Sequence, residues 1–293
     1  MEFNKVFVAG AGLMGSGIAQ VCAQAGMSVT LYDSNPDVIP KALEQIRWSA
    51  GKLAEKGKIS AGAEEVMGRI SPAEALEEAA GVDVVIEAIV EDLEAKKALF
   101  ERLGEIVGPQ AMVATNTSAL PIGEMARAIS RPERFLGLHF FSPVPMMQAV
   151  EVIRALTTSE QTFQAGRQFV LALGKHPVMV RREVPGFVVN RINLPATVEA
   201  IRLVEAGVAG VEDIDIALKL ATGRRMGVFE TGDMVGLDVT HAALTALYRE
   251  TADPRWFPPQ LLTQKVRAGQ LGRKTGIGWY RYDAQGRRLG PAE

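Results

Sequence analysis

Residues 5–33 read KVFVAGAGLMGSGIAQVCAQAGMSVTLYD, and their pattern settles the architecture of the N-terminal half. Val6-Phe7-Val8-Ala9 has the unbroken apolar character of a buried strand. It runs directly into Gly10-Ala11-Gly12-Leu13-Met14-Gly15, and an apolar helix follows as far as Gly26. In such a strand-to-helix turn Gly10 permits the tight turn, Gly12 lets the backbone approach a pyrophosphate, and Gly15 allows close packing of helix on sheet. Free N–H groups at the helix start, along Ala11 to Gly15, are placed to receive phosphate charge. The next strand, Val29-Thr30-Leu31-Tyr32, ends at Asp33, 18 residues beyond Gly15. A carboxylate there accepts hydrogen bonds from adenosine ribose hydroxyls. It would also repel a 2′-phosphate, and no Arg follows it closely, so the cofactor expected is NAD and not NADP. The competing role for Asp33 is simply to cap a loop.

Outward from this turn, short apolar runs alternate with longer amphipathic ones to about residue 182, the pattern of a mainly parallel sheet flanked by helices. Strands are expected at 5–9, 28–32, 83–87, 111–115, 134–140, 148–153 and 176–181. Between the second and third lies a long insert, Asn35 to about Gly81, whose text KALEQIRWSAGKLAEKGK suits a helix or helical pair with one solvated face. Pro185-Gly186 then punctuates the chain. Helices are expected at about 187–206, 211–221, 234–250 and 259–268, with capping residues in Val211-Glu212-Asp213 and Thr231-Gly232-Asp233. The fold class is therefore α/β: a Rossmann-type domain with a helical insert over 1–183, then an all-α domain over 184–293.

The 293 residues suffice for two such domains. With 32 Lys and Arg against 34 Asp and Glu, and no block of like charge, nothing suggests nucleic-acid binding. A small-molecule partner is expected. The single cysteine, Cys22, excludes an internal disulfide and reads as a small buried apolar residue. A reducing cytoplasm is the simplest setting. The N-terminal apolar stretch lacks a positively charged n-region and is broken by glycines and Gln20, so neither a signal peptide nor a membrane span is expected. No metal site is expected.

In open α/β sheets ligands bind outside the carboxyl ends of the strands. Polar residues fall there at three places: Val90-Glu91, Asn116-Thr117-Ser118, and His139. Of the three histidines, His139 alone lies at a strand end facing that crevice; His176 at a strand start and His241 within a helix read as structural. Glu151 stands within the apolar run Ala149 to Ile153, where a charge is costly unless paired. If 134–140 pairs antiparallel with 148–153 about Pro145, positions 139 and 151 fall opposite each other. A carboxylate beside an imidazole fixes its tautomer and stabilises the imidazolium formed on proton uptake. Ser118 and Asn190 are neutral groups that could hold a substrate oxygen, and either could equally be an ordinary cap or turn residue.

The text also resembles the L-3-hydroxyacyl-CoA dehydrogenases, including the bacterial 3-hydroxybutyryl-CoA dehydrogenases, from Val6 to about Tyr282. The specific pieces are GAGLMGSGIAQ (10–20), VIEAIVEDLEAKKALF (85–100), NTSAL (116–120), GLHFFSPVPMM (137–147), VEVI (150–153), GKHPV (174–178), PGFVVNR (185–191) and GRKTGIGWY (272–280). The resemblance implies that His139 is the catalytic base, Glu151 its partner, and Ser118 and Asn190 the groups around the C3 oxygen and thioester. It implies cofactor contacts from Asp33, Glu91, Lys96, Ser118 and Lys274. It further implies that Lys52 and Lys56, one helical turn apart, meet phosphates of the coenzyme A part of an acyl-CoA substrate. Without the family, that pair would be a solvated face. A homodimer formed through the C-terminal domain is implied as well. Two departures stand out: Ser142 replaces the Asn usual after HFF, which weakens that cofactor contact, and Met226-Gly227-Val228-Phe229-Glu230 replaces the familiar MGPFE. The alternatives are a dehydrogenase of the same framework acting on a non-CoA hydroxy acid, and a non-catalytic NAD-binding protein.

Overall fold

The computed structural model describes residues 3–292 and divides the chain into two compact units, Met1–Val184 and Pro185–Glu293. In the first unit the elements run β1 (Lys5–Ala9), α1 (Leu13–Gln24), β2 (Ser28–Tyr32), α2 (Val38–Glu55), α3 (Ala63–Met67), β3 (Ile70–Pro72), β4 (Val84–Glu87), α4 (Leu93–Ile106), β5 (Met112–Thr115), α5 (Ile122–Met125), β6 (Phe135–Phe140), β7 (Ala149–Ile153), α6 (Glu160–Ala172) and β8 (His176–Val180). The strands form one sheet in the order β3-β2-β1-β4-β5-β6-β7-β8, parallel except where β6 meets β7. The apolar runs of β1, β4, β5 and β6 are buried throughout, apart from Lys5, as strands covered on both faces must be. Val8, Leu31, Ile86, Ala114, Leu138 and Val152 pack with Ile18 and Cys22 of α1 and with Ile46 of α2 in the main core. Burial pushes the Cys22 thiol up to about 12, so it stays a neutral apolar filler.

The long insert forms the expected helical pair, α2 and α3, and adds one strand that the sequence reading did not include. α2 and α3 are followed by β3, which pairs parallel with β2 as the sheet edge, Val29 opposite Ile70. Three residues are too few for a periodic signal, and Pro72 is tolerated at an edge where its missing donor costs no ladder bond.

Strand register places the site. Ala9, Glu87, Thr115 and Gly137 lie level across β1, β4, β5 and β6. β1, β4 and β5 end there, whereas β6 continues to Phe140, so His139 lies beyond its parallel neighbours. The added length is paired on the β7 side, with His139 opposite Glu151, the register expected from the sequence. On the open side Asn116 Oδ1 accepts the Phe140 N–H at 2.9 Å, replacing a missing ladder bond.

The second unit contains α7 (Val189–Glu205), α8 (Val211–Thr222), α9 (Val228–Val235), α10 (Leu237–Thr251) and α11 (Gln260–Arg267), with a two-stranded antiparallel ribbon of β9 (Tyr280–Tyr282) and β10 (Arg288–Pro291) that the sequence reading did not include. The helix expected over 234–250 is α10, and α9 before it was not expected from the sequence; Gly236 takes a φ of 112° and turns the chain between the two. Thr231-Gly232-Asp233 consequently lies inside α9 and caps nothing. Asp233 is buried and accepts the Trp279 N–H at 2.8 Å, the Tyr280 N–H at 2.9 Å and the Tyr282 hydroxyl at 2.9 Å, which ties the ribbon to the helices. Among the described residues no helix is long and apolar enough to cross a membrane, and no group of three or more His, Cys, Asp or Glu is arranged to hold a metal ion.

Candidate active site

The glycine turn has three different surroundings. Gly10 has a φ of 111°, and a Cβ there would stand 2.4 Å from the Ala88 carbonyl oxygen. A Cβ at Gly15 would meet the Gly10 oxygen at 1.7 Å, so the start of α1 lies flush on the strand end. At Gly12, by contrast, nothing lies within 4 Å of a Cβ. Gly12 is also the N-cap of α1; no side chain caps it, and the first turn holds no acid. An open, uncapped helix start with backbone donors suits an anionic pyrophosphate. Leu13 is 72 % exposed and Met14 is half-buried. Asp33 accepts the Ala11 N–H at 2.8 Å and the Asn35 N–H at 2.9 Å. It therefore braces the turn and caps the loop, and its carboxylate keeps lone pairs for further donors. These residues fit a dinucleotide.

A second cluster stands on β4, β5 and the loops after them. Glu87, fully buried at the end of β4, accepts the Thr115 hydroxyl at 2.6 Å and the Ile89 N–H at 2.8 Å, and pairs with the ammonium of Lys96. Lys96 reaches on to Glu91 Oε2 at 3.2 Å. Glu91 Oε1 accepts the Thr117 hydroxyl at 2.7 Å, the Ser118 N–H at 2.8 Å and the Ser118 hydroxyl at 3.2 Å. Burial pushes the Glu87 carboxyl above its ordinary range, against the pull of Lys96. Burial drives Glu91 upward too, but Lys96, Thr117 and Ser118 outweigh it and hold its carboxyl below the usual range.

The third cluster is the strand pair. His139 Nδ1 lies 2.7 Å from Glu151 Oε2, with Glu151 fully buried and His139 6 % exposed. A carboxylate only accepts, so Nδ1 carries the hydrogen and the neutral ring keeps the Nε2 lone pair. That is the tautomer a base needs. The Phe141 ring centroid is 4.5 Å from that of His139. In the loop from β6 to β7, Ser142 is exposed. Lys175, from the GKHPV segment, fixes this loop by donating to the carbonyls of Val144 at 2.8 Å and Met147 at 2.6 Å. Val144 in turn sits on Gly17 of α1, where a Cβ would be 2.8 Å away.

The first unit thus brings together His139 with Glu151, and Ser118 with Glu91 and Lys96, and Asn116 bridges the two strands that carry them. Lys52 and Lys56 stand at the exposed end of α2, where Lys52 pairs with Glu55 at 2.7 Å. Asn190 and Lys274 belong to the second unit: Asn190 is half-buried in the first turn of α7, and Lys274 pairs with Asp238 at 2.6 Å. The sequence reading missed Glu87, Thr115 and Lys175. Glu87 carried the same signal that exposed Glu151, an acid in an apolar run.

Two family profiles divide the chain between them. The NAD binding domain of 3-hydroxyacyl-CoA dehydrogenase matches residues 5–184, and the C-terminal domain of 3-hydroxyacyl-CoA dehydrogenase matches residues 186–282. A probable 3-hydroxybutyryl-CoA dehydrogenase of Deinococcus radiodurans is 44% identical over 95% of this chain and 100% of its own. The mitochondrial hydroxyacyl-coenzyme A dehydrogenase of Homo sapiens is 44% identical over 95% of this chain and 91% of its own. The crystal structure of (S)-3-hydroxybutyryl-CoA dehydrogenase from Ralstonia eutropha superposes with a TM-score of 0.90 at 39% identity, covering 96% of this chain and 100% of that one.

Proposed function

Because the chain belongs to the 3-hydroxyacyl-CoA dehydrogenase family, whose two profiles span residues 5–184 and 186–282, we propose that it interconverts an L-3-hydroxyacyl-CoA and the 3-ketoacyl-CoA with His139 as the base. It is an NAD-dependent oxidoreductase. The observation that carries the assignment of the base is the buried bond from His139 Nδ1 to Glu151 Oε2, which leaves Nε2 as the proton acceptor.

Gly10, Ala11, Gly12, Leu13, Met14 and Gly15 hold the pyrophosphate through their backbone, and Asp33 takes the adenosine ribose hydroxyls. Glu91, Lys96, Ser118, Ser142 and Lys274 complete the cofactor contacts. When bound, NAD would supply the hydride acceptor, or in its reduced form the hydride donor, for C3. His139 Nε2 takes the proton of the C3 hydroxyl in oxidation and returns it to the C3 oxygen in reduction. Glu151 stabilises the imidazolium in between, and general-base assistance of this kind contributes about 10²- to 10⁴-fold. Ser118 and Asn190 orient the oxygen and thioester, and Lys52 and Lys56 take phosphates of coenzyme A. The surface pair of Lys52 with Glu55 is worth at most about 1 kcal/mol and yields readily to a phosphate. The second unit forms a homodimer, a role supported by the exposed Ile216, Leu220, Val235 and Val239. The enzyme works in the cytoplasm on an acyl-CoA.

Mixing protein, NADH and acetoacetyl-CoA and following NADH absorbance tests the proposal. Steady NADH loss is expected, and His139→Gln should cut kcat by about 10²- to 10⁴-fold with NADH affinity nearly intact. Absence of turnover with any 3-ketoacyl-CoA would sink the activity, and an active His139→Gln would sink the base. Competition by free coenzyme A, lost in Lys52→Glu/Lys56→Glu, separates this activity from one on a non-CoA hydroxy acid.

A further inference from the structure

Glu87 is a carboxylate sealed into a central strand, between β1 and β5. A buried charge is costly unless paired, and Glu87 is paired with an equally unusual group. Lys96 is 1 % exposed and stands at the first turn of α4, where a cation opposes the helix dipole. Its placement therefore works against the local stability of the helix. What the placement achieves is a bridge. One ammonium touches Glu87 on its sealed side and Glu91 Oε2 on the other, while Glu91 Oε1 gathers Thr117 and Ser118 in the loop after β5. Two further donors, the Thr115 hydroxyl and the Ile89 N–H, hold Glu87 in place. Glu87 is thus fixed by β5 and the β4 end, Lys96 is fixed by Glu87, and Glu91 is fixed by Lys96.

We propose that Glu87 is a positioning residue for the dinucleotide site: it pins the Lys96 ammonium so that Glu91 stays directed at Thr117 and Ser118. This rests on the cofactor role given to Glu91 and Ser118 above. A carboxylate only accepts, so the Ser118 hydroxyl spends its one hydrogen on Glu91 and offers lone pairs to a ligand donor. Without Glu87, Lys96 has Glu91 as its sole counter-ion, and the ammonium competes with Thr117 and Ser118 for that carboxylate. The directions of the two carboxyls agree with this division, since Glu87 is raised by burial while Glu91 is held low.

The test is a double-mutant cycle on the full chain, read as NADH affinity without substrate. Glu87→Gln and Lys96→Met should each weaken NADH binding about tenfold or more, the equivalent of one charge-assisted hydrogen bond. The double variant should bind no more weakly than Lys96→Met alone, because Glu87 acts only through Lys96. Glu87→Asp should recover part of the loss, and inhibition by free coenzyme A should keep its wild-type strength in Glu87→Gln, since Lys52 and Lys56 lie outside this chain of contacts. The proposal is overturned if Glu87→Gln binds NADH as wild type does, if the two losses multiply, or if inhibition by free coenzyme A weakens in step. Should Glu87→Gln fail to fold, the double variant against Lys96→Met decides: equal affinity supports the role and a further loss overturns it. A wild-type protein that binds no NADH overturns the cofactor assignment itself, a result distinct from every outcome within the cycle.

Discussion

Replacing Glu151 by Gln isolates what the buried carboxylate does for His139. The substitution keeps size and shape at a position with no solvent exposure and removes only the charge. In the wild type the bond from Nδ1 to Oε2 is 2.7 Å and becomes charge-assisted at both ends once the ring is protonated. Hydrogen bonds to charged groups contribute about 1.5–3 kcal/mol and neutral ones about 0.5–1.5 kcal/mol, so the imidazolium loses roughly 1–1.5 kcal/mol of support. At 1.36 kcal/mol per decade that is about tenfold in kcat. The loss is that small only if the Gln carbonyl faces Nδ1. If its amide nitrogen turns inward, the ring hydrogen is forced onto Nε2 and the base disappears, a tautomer error that costs about 10⁴-fold in a Ser-His-Asp enzyme. The expected kcat with acetoacetyl-CoA therefore falls by about 10- to 10⁴-fold. NADH affinity and near-ultraviolet circular dichroism should stay unchanged. A folded Glu151→Gln with kcat within about twofold of wild type would refute the dyad, because a neutral partner would then serve as well as a charged one.

The glycine turn gives a paired expectation. Gly15→Ala drives a Cβ to 1.7 Å from the Gly10 oxygen and should lower thermal stability by about 1–3 kcal/mol, whereas Gly12→Ala meets nothing within 4 Å and should leave the melting temperature alone while weakening NADH binding. Melting curves of both without cofactor check this, and equal loss in the two would contradict it. In the second unit, Glu230 accepts the Gly227 N–H and pairs with Lys219 at 2.8 Å and Arg288 at 2.7 Å. Burial raises its carboxyl, but these partners bring it below the ordinary value. A lowered folded value means stability that is present above the unfolded pKa, near 4.3, and lost as pH falls through the folded one. Glu230→Gln should therefore cost about 1–2 kcal/mol at pH 7, with the gap to wild type closing in acid below pH 4; a constant gap across that range would argue against the ion pairs.

What was legible in the sequence follows from how local each constraint is. Gly15 is required by the Gly10 oxygen within the same turn and Gly10 by its own φ of 111°, so their spacing, together with the strand before them and Asp33 at the end of the next, identified them. His139 and Glu151 were found together because Glu151 is an acid in an apolar run, and one hairpin about Pro145 fixes the register between them. Glu87 sat in an apolar run just as Glu151 does, but its partner is on a helix nine residues onward, where no strand register points. β3 has three residues, below any periodic pattern. The division between α9 and α10 depends on the φ of Gly236, and a single glycine in helical text carries no sign of its angle. Asp233 resembled a cap because Thr-Gly-Asp is a common helix start; its true donors are 46 to 49 residues away on the β9 segment.

The two buried carboxylates on β4 and β7 solve different electrostatic problems by the same means. Glu151 is paired with a group whose charge changes, since an imidazole is neutral when it waits for a proton and cationic once it has one. In the proposed reaction the Glu151 carboxylate stabilises the second state without water, and the charge of the dyad shifts by one as the proton comes and goes. Glu87 is paired with Lys96, whose ammonium also reaches Glu91, so that cation lies between two carboxylates. In the proposed reaction no proton is exchanged with that cluster. A dehydrogenase has reason to keep the two apart. Proton transfer needs a partner that titrates, whereas the hydrogen bonds that hold a dinucleotide must not change when the base gains its proton. Asn116, which accepts from Phe140 beside His139 and lies one residue before Thr117, links the two clusters through a neutral amide.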